Sequence, residues 1–324
     1  MLAVAAALRP MWGQAGGQQA PKPEELPTIS VDVDVVNILF TVRNKQGGLV
    51  GNLNKEDFVV EEDGRSQTVK YFSRQSDLPL TIGLLVDTSV SQGALIDQER
   101  QASSLFFREV LRMNKDQAFL LSFDIHVDML QDLTDSAKLL RAGLDKLRVN
   151  AGAGYGAGPV PTTGKPKGTL LFDAVYLAAD EVLKGQVGRK AGVLITDGND
   201  YGSHYTVQQA IAAAQKSDVI LYGILYLDDA FYYRQGGIVG GFGSGGSLKK
   251  LAEETGGRVY EVSRKKPLRT IYQELQEELR SQYSIGYTPT STRTDAGLRK
   301  IRIVPRQKDL KVQARQGYYP KSAQ

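Results

Sequence analysis

Thr81-Ile-Gly-Leu-Leu-Val-Asp-Thr-Ser-Val-Ser91 decides the fold: six residues without a charge, then an acid, then hydroxyls at three of the next four positions. An uncharged, largely apolar run of this length, ended by turn-forming residues, is a strand buried on both faces, as in parallel sheets covered by helices. Its carboxyl end delivers one carboxylate, Asp87, and two hydroxyls, Ser89 and Ser91, to one rim of the sheet, just before a helical stretch over 95–113. Outward from it the pattern repeats. Strands are expected at 118–123, 192–196, 219–226 and 258–262, with a short antiparallel edge strand near 127–130. Helices are expected at 137–147, with Thr134 or Asp135 as cap, and at 170–183, 207–216, 248–254 and 268–280. The alternation predicts an α/β class: a doubly wound, mostly parallel sheet with helices on both faces.

Both flanks read as β. Val31, Val33 and Val35 alternate with Asp32 and Asp34, then the phase shifts to Val36, Ile38, Phe40 and Val42, which predicts a strand with a bulge. Gly47-Gly48 turns the chain, and Phe58-Val-Val60 and Thr68-Val-Lys-Tyr-Phe72 flank Asp63-Gly64, a dipeptide suited to a tight hairpin. Beyond the α/β region, 282–287, 298–304 and 310–314 again alternate. Nine acids and five bases lie between 22 and 65, whereas nine bases and two acids lie between 290 and 324. The opposite charge suggests that the two ends pack together as one small β-domain, with two independently solvated faces as the alternative. The expected organisation is a signal-peptide remnant and linker over 1–28, a β segment over 29–77, the α/β domain over 78–285, and a β segment over 286–324 that packs with 29–77.

The 324 residues, 41% of them hydrophobic, are enough for one large domain and a smaller one. A net charge of +4 with dispersed bases gives no argument for nucleic acid. The absence of cysteine removes disulfides, thiolate metal sites and cysteine nucleophiles together. Leu2-Ala-Val-Ala-Ala-Ala-Leu8 followed by Met11-Trp-Gly-Gln-Ala15 is similar to a clipped signal peptide, which points to export: periplasmic, secreted or at the cell surface. No integral membrane span is seen elsewhere in the sequence.

In a doubly wound sheet, ligands bind in the crevice at the carboxyl ends of the strands, where the strand order reverses. The strand over 192–196 ends in Asp197-Gly198, and Gly168-Thr169 opens the helix between it and the preceding strand. Asp87, Ser89, Ser91, Thr169 and Asp197 are therefore expected to converge. All five are hard oxygen donors, with no His or Cys among them, which favours Mg2+ or Mn2+ over zinc or copper. Only two of the five are charged, so a cation held here keeps residual positive charge and a position open to a partner's carboxylate.

The Asp87-x-Ser89-x-Ser91, Thr169 and Asp197-Gly198 elements, in this order, resemble the metal-ion-dependent adhesion site (MIDAS) of von Willebrand factor A domains. The resemblance spans about 78 to 285. It implies that Ser89, Ser91 and Thr169 approach the metal directly and that Asp87 and Asp197 do so directly or through water. Leu251-Ala-Glu-Glu-Thr-Gly-Gly257 and Tyr283-Ser-Ile-Gly-Tyr287 further resemble a bacterial group of such proteins with a leading β-segment. A plainer alternative makes Ser89, Ser91 and Thr169 helix N-caps and the two acids ordinary turn formers.

The expected function is metal-dependent binding of a protein ligand that presents an acidic side chain, with no catalysis. Tyr155, Tyr201, Tyr205, Tyr232 and Tyr233, on loops around the crevice, are candidate partner-binding residues, because tyrosine gives large contact area with few rotors to freeze. Two alternatives stand beside this. One is an Mg-dependent phosphoryl-transfer enzyme with Asp87 as nucleophile; the hydroxyls after Asp87 stand where a second acid is wanted, and Lys165 and Lys167 are its loop lysines. The other is a scaffold that the metal merely stabilises. The Gly-rich run Gly241-Phe-Gly-Ser-Gly-Gly246 does not directly follow a strand, as a dinucleotide fingerprint requires, and His126 and His204 have no serine elbow to serve.

Overall fold

The computed structural model describes residues 35–74, 77–149, 168–227, 245–291 and 295–320. The signal-peptide and linker expectation over 1–28, Tyr155, Tyr232, Tyr233, Lys165, Lys167 and most of the glycine run lie outside them.

Six strands form the central sheet: β5 (Leu80–Asp87), β6 (Gln117–Phe123), β7 (Val127–Thr134), β8 (Arg189–Thr196), β9 (Val219–Leu225) and β10 (Val259–Glu261). Their order is β10-β9-β8-β5-β6-β7, parallel except for β7, which runs antiparallel to β6 at one edge. Every residue of β5 and of β8 is buried, which is why these strands carry no inside–outside alternation. On one face Leu80, Ile82, Leu84 and Val86 pack under α1 (Ile96–Val110), α2 (Ala137–Leu144) and, later in the chain, the helix Leu268–Arg280. On the other face Leu85, Phe119, Phe123 and Leu194 pack under α3 (Leu171–Leu177), α4 (Val207–Lys216) and α5 (Gly246–Thr255). The helix Leu268–Arg280 is α6.

The expected elements differ from the observed ones at their ends, for local reasons. The first helix stops at Val110 rather than 113 because the Arg112 backbone N–H donates to Asp116 Oδ2 at 3.0 Å. Ser136, not Thr134 or Asp135, caps α2, accepting from Leu139 N, and Thr134 instead accepts from Ser136 N. The helix expected over 170–183 is α-helical only to Leu177 and continues as a π-helical segment, Ala178–Leu183. The edge strand expected near 127–130 extends to Thr134.

The flanking segments build two four-stranded antiparallel sheets. One has the order β13 (Lys311–Ala314), β1 (Val36–Arg43), β11 (Tyr283–Tyr287), β4 (Val69–Arg74); the other, β14 (Gly317–Tyr318), β12 (Arg299–Pro305), β2 (Phe58–Glu62), β3 (Arg65–Gln67). The N- and C-terminal segments thus share both sheets and one core, in which Val36, Ile38, Phe40 and Val42 meet Phe58, Val60, Tyr283, Ile285, Ile301 and Ile303. Phe40 stacks on Tyr283 at 5.4 Å and meets Phe58 edge-on at 5.1 Å. β1 pairs without a register shift over Val36–Arg43, and the bulge expected at the phase shift after Val35 rests on 31–34, which lie outside the described residues. Asp63 and Gly64, both at positive φ, make the expected two-residue turn. Its returning strand is Arg65–Gln67, however, and not 68–72: the chain changes sheets at Thr68 and β4 pairs with β11.

A buried carboxylate fastens each junction of this β region. Glu62, 1% exposed, accepts from Tyr287 Oη (2.7 Å), Tyr318 Oη (2.9 Å) and Arg299 (3.3 Å). Glu278 of α6, fully buried, accepts from Arg43, from Tyr260 Oη at 2.8 Å and from Gln313 at 3.0 Å, tying the β region to the helical layer.

Candidate metal centre

The order reversal falls between β5 and β8, which lie side by side and parallel, so Asp87 at the end of one and Asp197 just after the other face the same crevice. Ser89 Oγ lies 3.0 Å from Ser91 Oγ, and Ser91 Oγ donates to Asp197 Oδ2 at 2.7 Å. Asp87 is fully buried; its Oδ1 accepts from Ser89 N at 3.0 Å and its Oδ2 from Thr196 Oγ1 at 2.6 Å. Four of the five expected residues are thereby linked in one cluster. Thr169 is placed on the same rim through backbone bonds: it pairs with Tyr201 in both directions (2.8 and 3.4 Å), and Leu170 N donates to Asp124 O at 2.8 Å. The Thr169 hydroxyl itself donates to Gly168 O at 2.8 Å.

The plainer capping alternative does not describe these hydroxyls. Ser89 precedes the 3-10 turn Val90–Gln92 without a side-chain capping bond, and α3 is preceded by Leu170, not Thr169. The first amides of α3 are satisfied from the loop after Asp197: Phe172 N donates to Asp200 Oδ1 and Ser203 Oγ, both at 3.1 Å, and Asp173 N to Ser203 Oγ at 3.2 Å. The same loop is pinned by Asp173, which accepts from His204 N, Tyr205 N and His204 Nδ1. These bonds leave the hydroxyls of Ser89, Ser91 and Thr169 uncommitted to helix ends.

Burial, then the negative charge of Asp197, pushes the Asp87 carboxyl up to about 7, against the lowering effect of the Ser89 and Thr196 hydrogen bonds. Two carboxylates held this close in a buried crevice favour either a proton or a cation between them. Among the described residues no three Asp, Glu or His side chains gather into a metal-holding group, so hydroxyls must complete any donor set here. The residues present fit a hard divalent ion on that chemistry.

Three neighbours escaped the sequence reading. Thr196 orients Asp87, and its position as the last residue of a buried strand next to Asp197 was the available signal. Asp124 holds Thr88 Oγ1 at 3.1 Å and steadies the β5 loop, a contact that needs β5 and β6 to be neighbours. Glu99 of α1 is fully buried with neither carboxyl oxygen hydrogen-bonded; burial and then Asp87 raise it well above the usual carboxylate range. On the rim, Tyr201 is 58% exposed, whereas Tyr205 stacks on Tyr176 at 3.7 Å and is half-buried. The start of α5 also arrives here: a Cβ on Gly198, at φ +82°, would lie 2.6 Å from Gly245 N, so Gly245 packs directly against the turn after Asp197.

No protein-family model and no curated protein matches the chain. Solved structures similar to it include an aerotolerance-related membrane protein from Bacteroides fragilis, 14% identical over 62% of this chain and 98% of that one, with a TM-score of 0.45. BatB from Bacteroides thetaiotaomicron is 18% identical over 62% of this chain and 100% of its own, with a TM-score of 0.43. Proximal thread matrix protein 1 from the mussel byssus, with a zinc-occupied MIDAS motif, is 15% identical over 67% of this chain and 49% of its own, with a TM-score of 0.47. The chain thus spans about half the length of that byssus protein. Among the described residues the central sheet, with one antiparallel edge strand and the hydroxyl–carboxylate cluster at its carboxyl ends, has the doubly wound architecture that the resemblance to von Willebrand factor A domains implies.

Proposed function

We propose that the crevice holds a divalent cation, Mg2+ or Mn2+, through Asp87, Ser89, Ser91, Thr169 and Asp197, and that the chain is a metal-dependent protein-binding module. The observation that carries this reading is the Ser89–Ser91–Asp197 hydrogen-bond chain set against the fully buried carboxyl of Asp87. When bound, the cation supplies a Lewis-acidic position for the carboxylate of an acidic side chain on the partner. Ser91 and Asp197 hold one another in place, while Ser89 N and Thr196 fix both oxygens of Asp87. Tyr201 and Tyr205, and with them Tyr155, Tyr232 and Tyr233 as the sequence leads us to expect, read what flanks that carboxylate. Among these, the exposure of Tyr201 and its pairing with Thr169 support a place at the contact surface.

An aspartyl nucleophile is less well supported, because both Asp87 oxygens already accept hydrogen bonds and the residue is fully buried. Among the described residues no helix is long and apolar enough to cross a membrane. The test is calorimetric titration of Mg2+ and Mn2+ into the wild type and Asp87→Ala. Intact binding in the variant overturns the site, and partners that survive a chelator in pull-downs overturn the metal dependence.

A further inference from the structure

Charge is concentrated at a second place, at the other end of the central sheet. Leu80 and Arg189 open β5 and β8, whereas Asp87 and Thr196 close them. At about 3.3 Å per residue, the two ends lie about 23 Å apart. A cavity of about 350 Å3 is walled there by Arg112, Asp116, Arg189 and Arg280, over an apolar floor that includes Leu80 and Leu279.

The charges in this cavity do not balance. Among the described residues Asp116 is the one acid in its wall, and it is already committed to Arg112, through Nε at 2.7 Å and a terminal nitrogen at 2.8 Å, and to the backbone of Leu80 and Arg112. Arg189 is 2% exposed; its terminal nitrogens donate to the carbonyls of Leu279 and Leu78, and its Nε has no hydrogen-bond partner. Arg280 is exposed at the mouth and reaches only a carbonyl, Glu109 O, at 3.1 Å. Asp77, the remaining acid that these arginines sense, is exposed and sits beside Lys115. A guanidinium taken out of water without a counter-charge is costly, and the cost disappears when an anion accompanies it. Burial and the neighbouring Arg112 accordingly depress the Arg189 pKa to about 10.

We propose that this cavity is a binding site for a small oxyanion, a phosphate or carboxylate group that sits against the buried guanidinium of Arg189 and takes the outward guanidinium of Arg280. Guanidinium forks match such oxygens two at a time, and the graded exposure, Arg280 outermost and Arg189 innermost, gives the anion a path in. The site is separate from the crevice, so its occupancy does not depend on the metal reading.

The experiment is thermal unfolding and calorimetry on the full chain in chelator, with inorganic phosphate and, separately, succinate titrated against chloride at matched ionic strength. A saturable rise in Tm beyond chloride is expected with at least one of them, and which one responds assigns the class. Arg280→Ala weakens that binding about tenfold, as expected for one lost charge-assisted contact, and Arg189→Met abolishes it. Because Arg189 also braces the end of α6, Arg280→Glu serves as a second variant if Arg189→Met fails to fold. Asp87→Ala keeps full anion binding. The proposal is overturned if neither anion exceeds chloride, or if Arg280→Ala and Arg280→Glu bind it as the wild type does.

Discussion

Replacing Asp87 by Asn separates the two roles that the structure gives this residue. In the metal-free fold its carboxyl is raised from 3.8 to about 7, so the folded protein holds the proton more tightly than the unfolded chain does. The associated stability is fully present below about 4, is lost as the pH rises, and is gone above about 7. At about 1.4 kcal/mol per pKa unit, the penalty carried by ionised Asp87 approaches about 4 kcal/mol. Asn removes the charge, keeps an oxygen for Ser89 N and turns its amide toward Thr196 Oγ1, at a cost of about 1 kcal/mol for altered hydrogen bonding. In chelator, Asp87→Asn is therefore expected to match the wild type within about 1 kcal/mol at pH 5 and to exceed it by about 3 kcal/mol at pH 8. With Mg2+ at about a hundred times its dissociation constant, the gap at pH 8 nearly closes, because the wild type alone gains about 2.7 kcal/mol by linkage. Urea unfolding at pH 5, 6, 7 and 8, with and without Mg2+, reads both effects. A wild type that keeps its stability relative to the variant from pH 5 to pH 8 in chelator refutes the burial argument, and equal Mg2+ stabilisation of both proteins refutes the site.

Other positions make sharper or simpler demands. Ser91→Ala removes the link between Ser89 and Asp197 and should weaken Mg2+ binding by about 10- to 100-fold without changing the far-UV circular dichroism, as calorimetry will show. Glu62→Ala removes the buried acceptor shared by Arg299 and two tyrosine hydroxyls and should cost about 3–5 kcal/mol in urea unfolding; a loss below about 1 kcal/mol would show that the β region does not depend on this hub. Gly257→Ala puts a Cβ 1.9 Å from Leu221 O, backbone that cannot step aside, so the variant should express as insoluble or unfolded protein. Tyr201→Ala should weaken capture of a chelator-sensitive partner and leave Mg2+ affinity unchanged, whereas Tyr205→Ala should also lower Tm, because Tyr205 stacks on Tyr176.

The alternation of uncharged strands with helical stretches was enough to read the α/β class, because parallel strands buried on both faces leave little choice of residue. It was also enough to place Asp87, Ser89, Ser91 and Asp197 at one rim, since strand ends in a doubly wound sheet meet wherever the order reverses. The charge contrast of the two flanks pointed to their shared sheets, and Glu62–Arg299 is where that contrast is buried. What only the tertiary structure decided are relations between residues distant in sequence. The change of sheets at Thr68 depends on β11, more than two hundred residues later, pairing with Val69–Arg74. The freedom of the Thr169 hydroxyl from capping depends on Asp200 and Ser203 reaching back to α3. The unbalanced arginines at the far end carry no local pattern, because Arg112, Arg189 and Arg280 come from three separate elements and become a site only when packing removes the water between them. Local periodicity reports which way a side chain faces; it does not report which distant carboxylate or carbonyl it finds there, and on that the chemistry of both ends of this sheet depends.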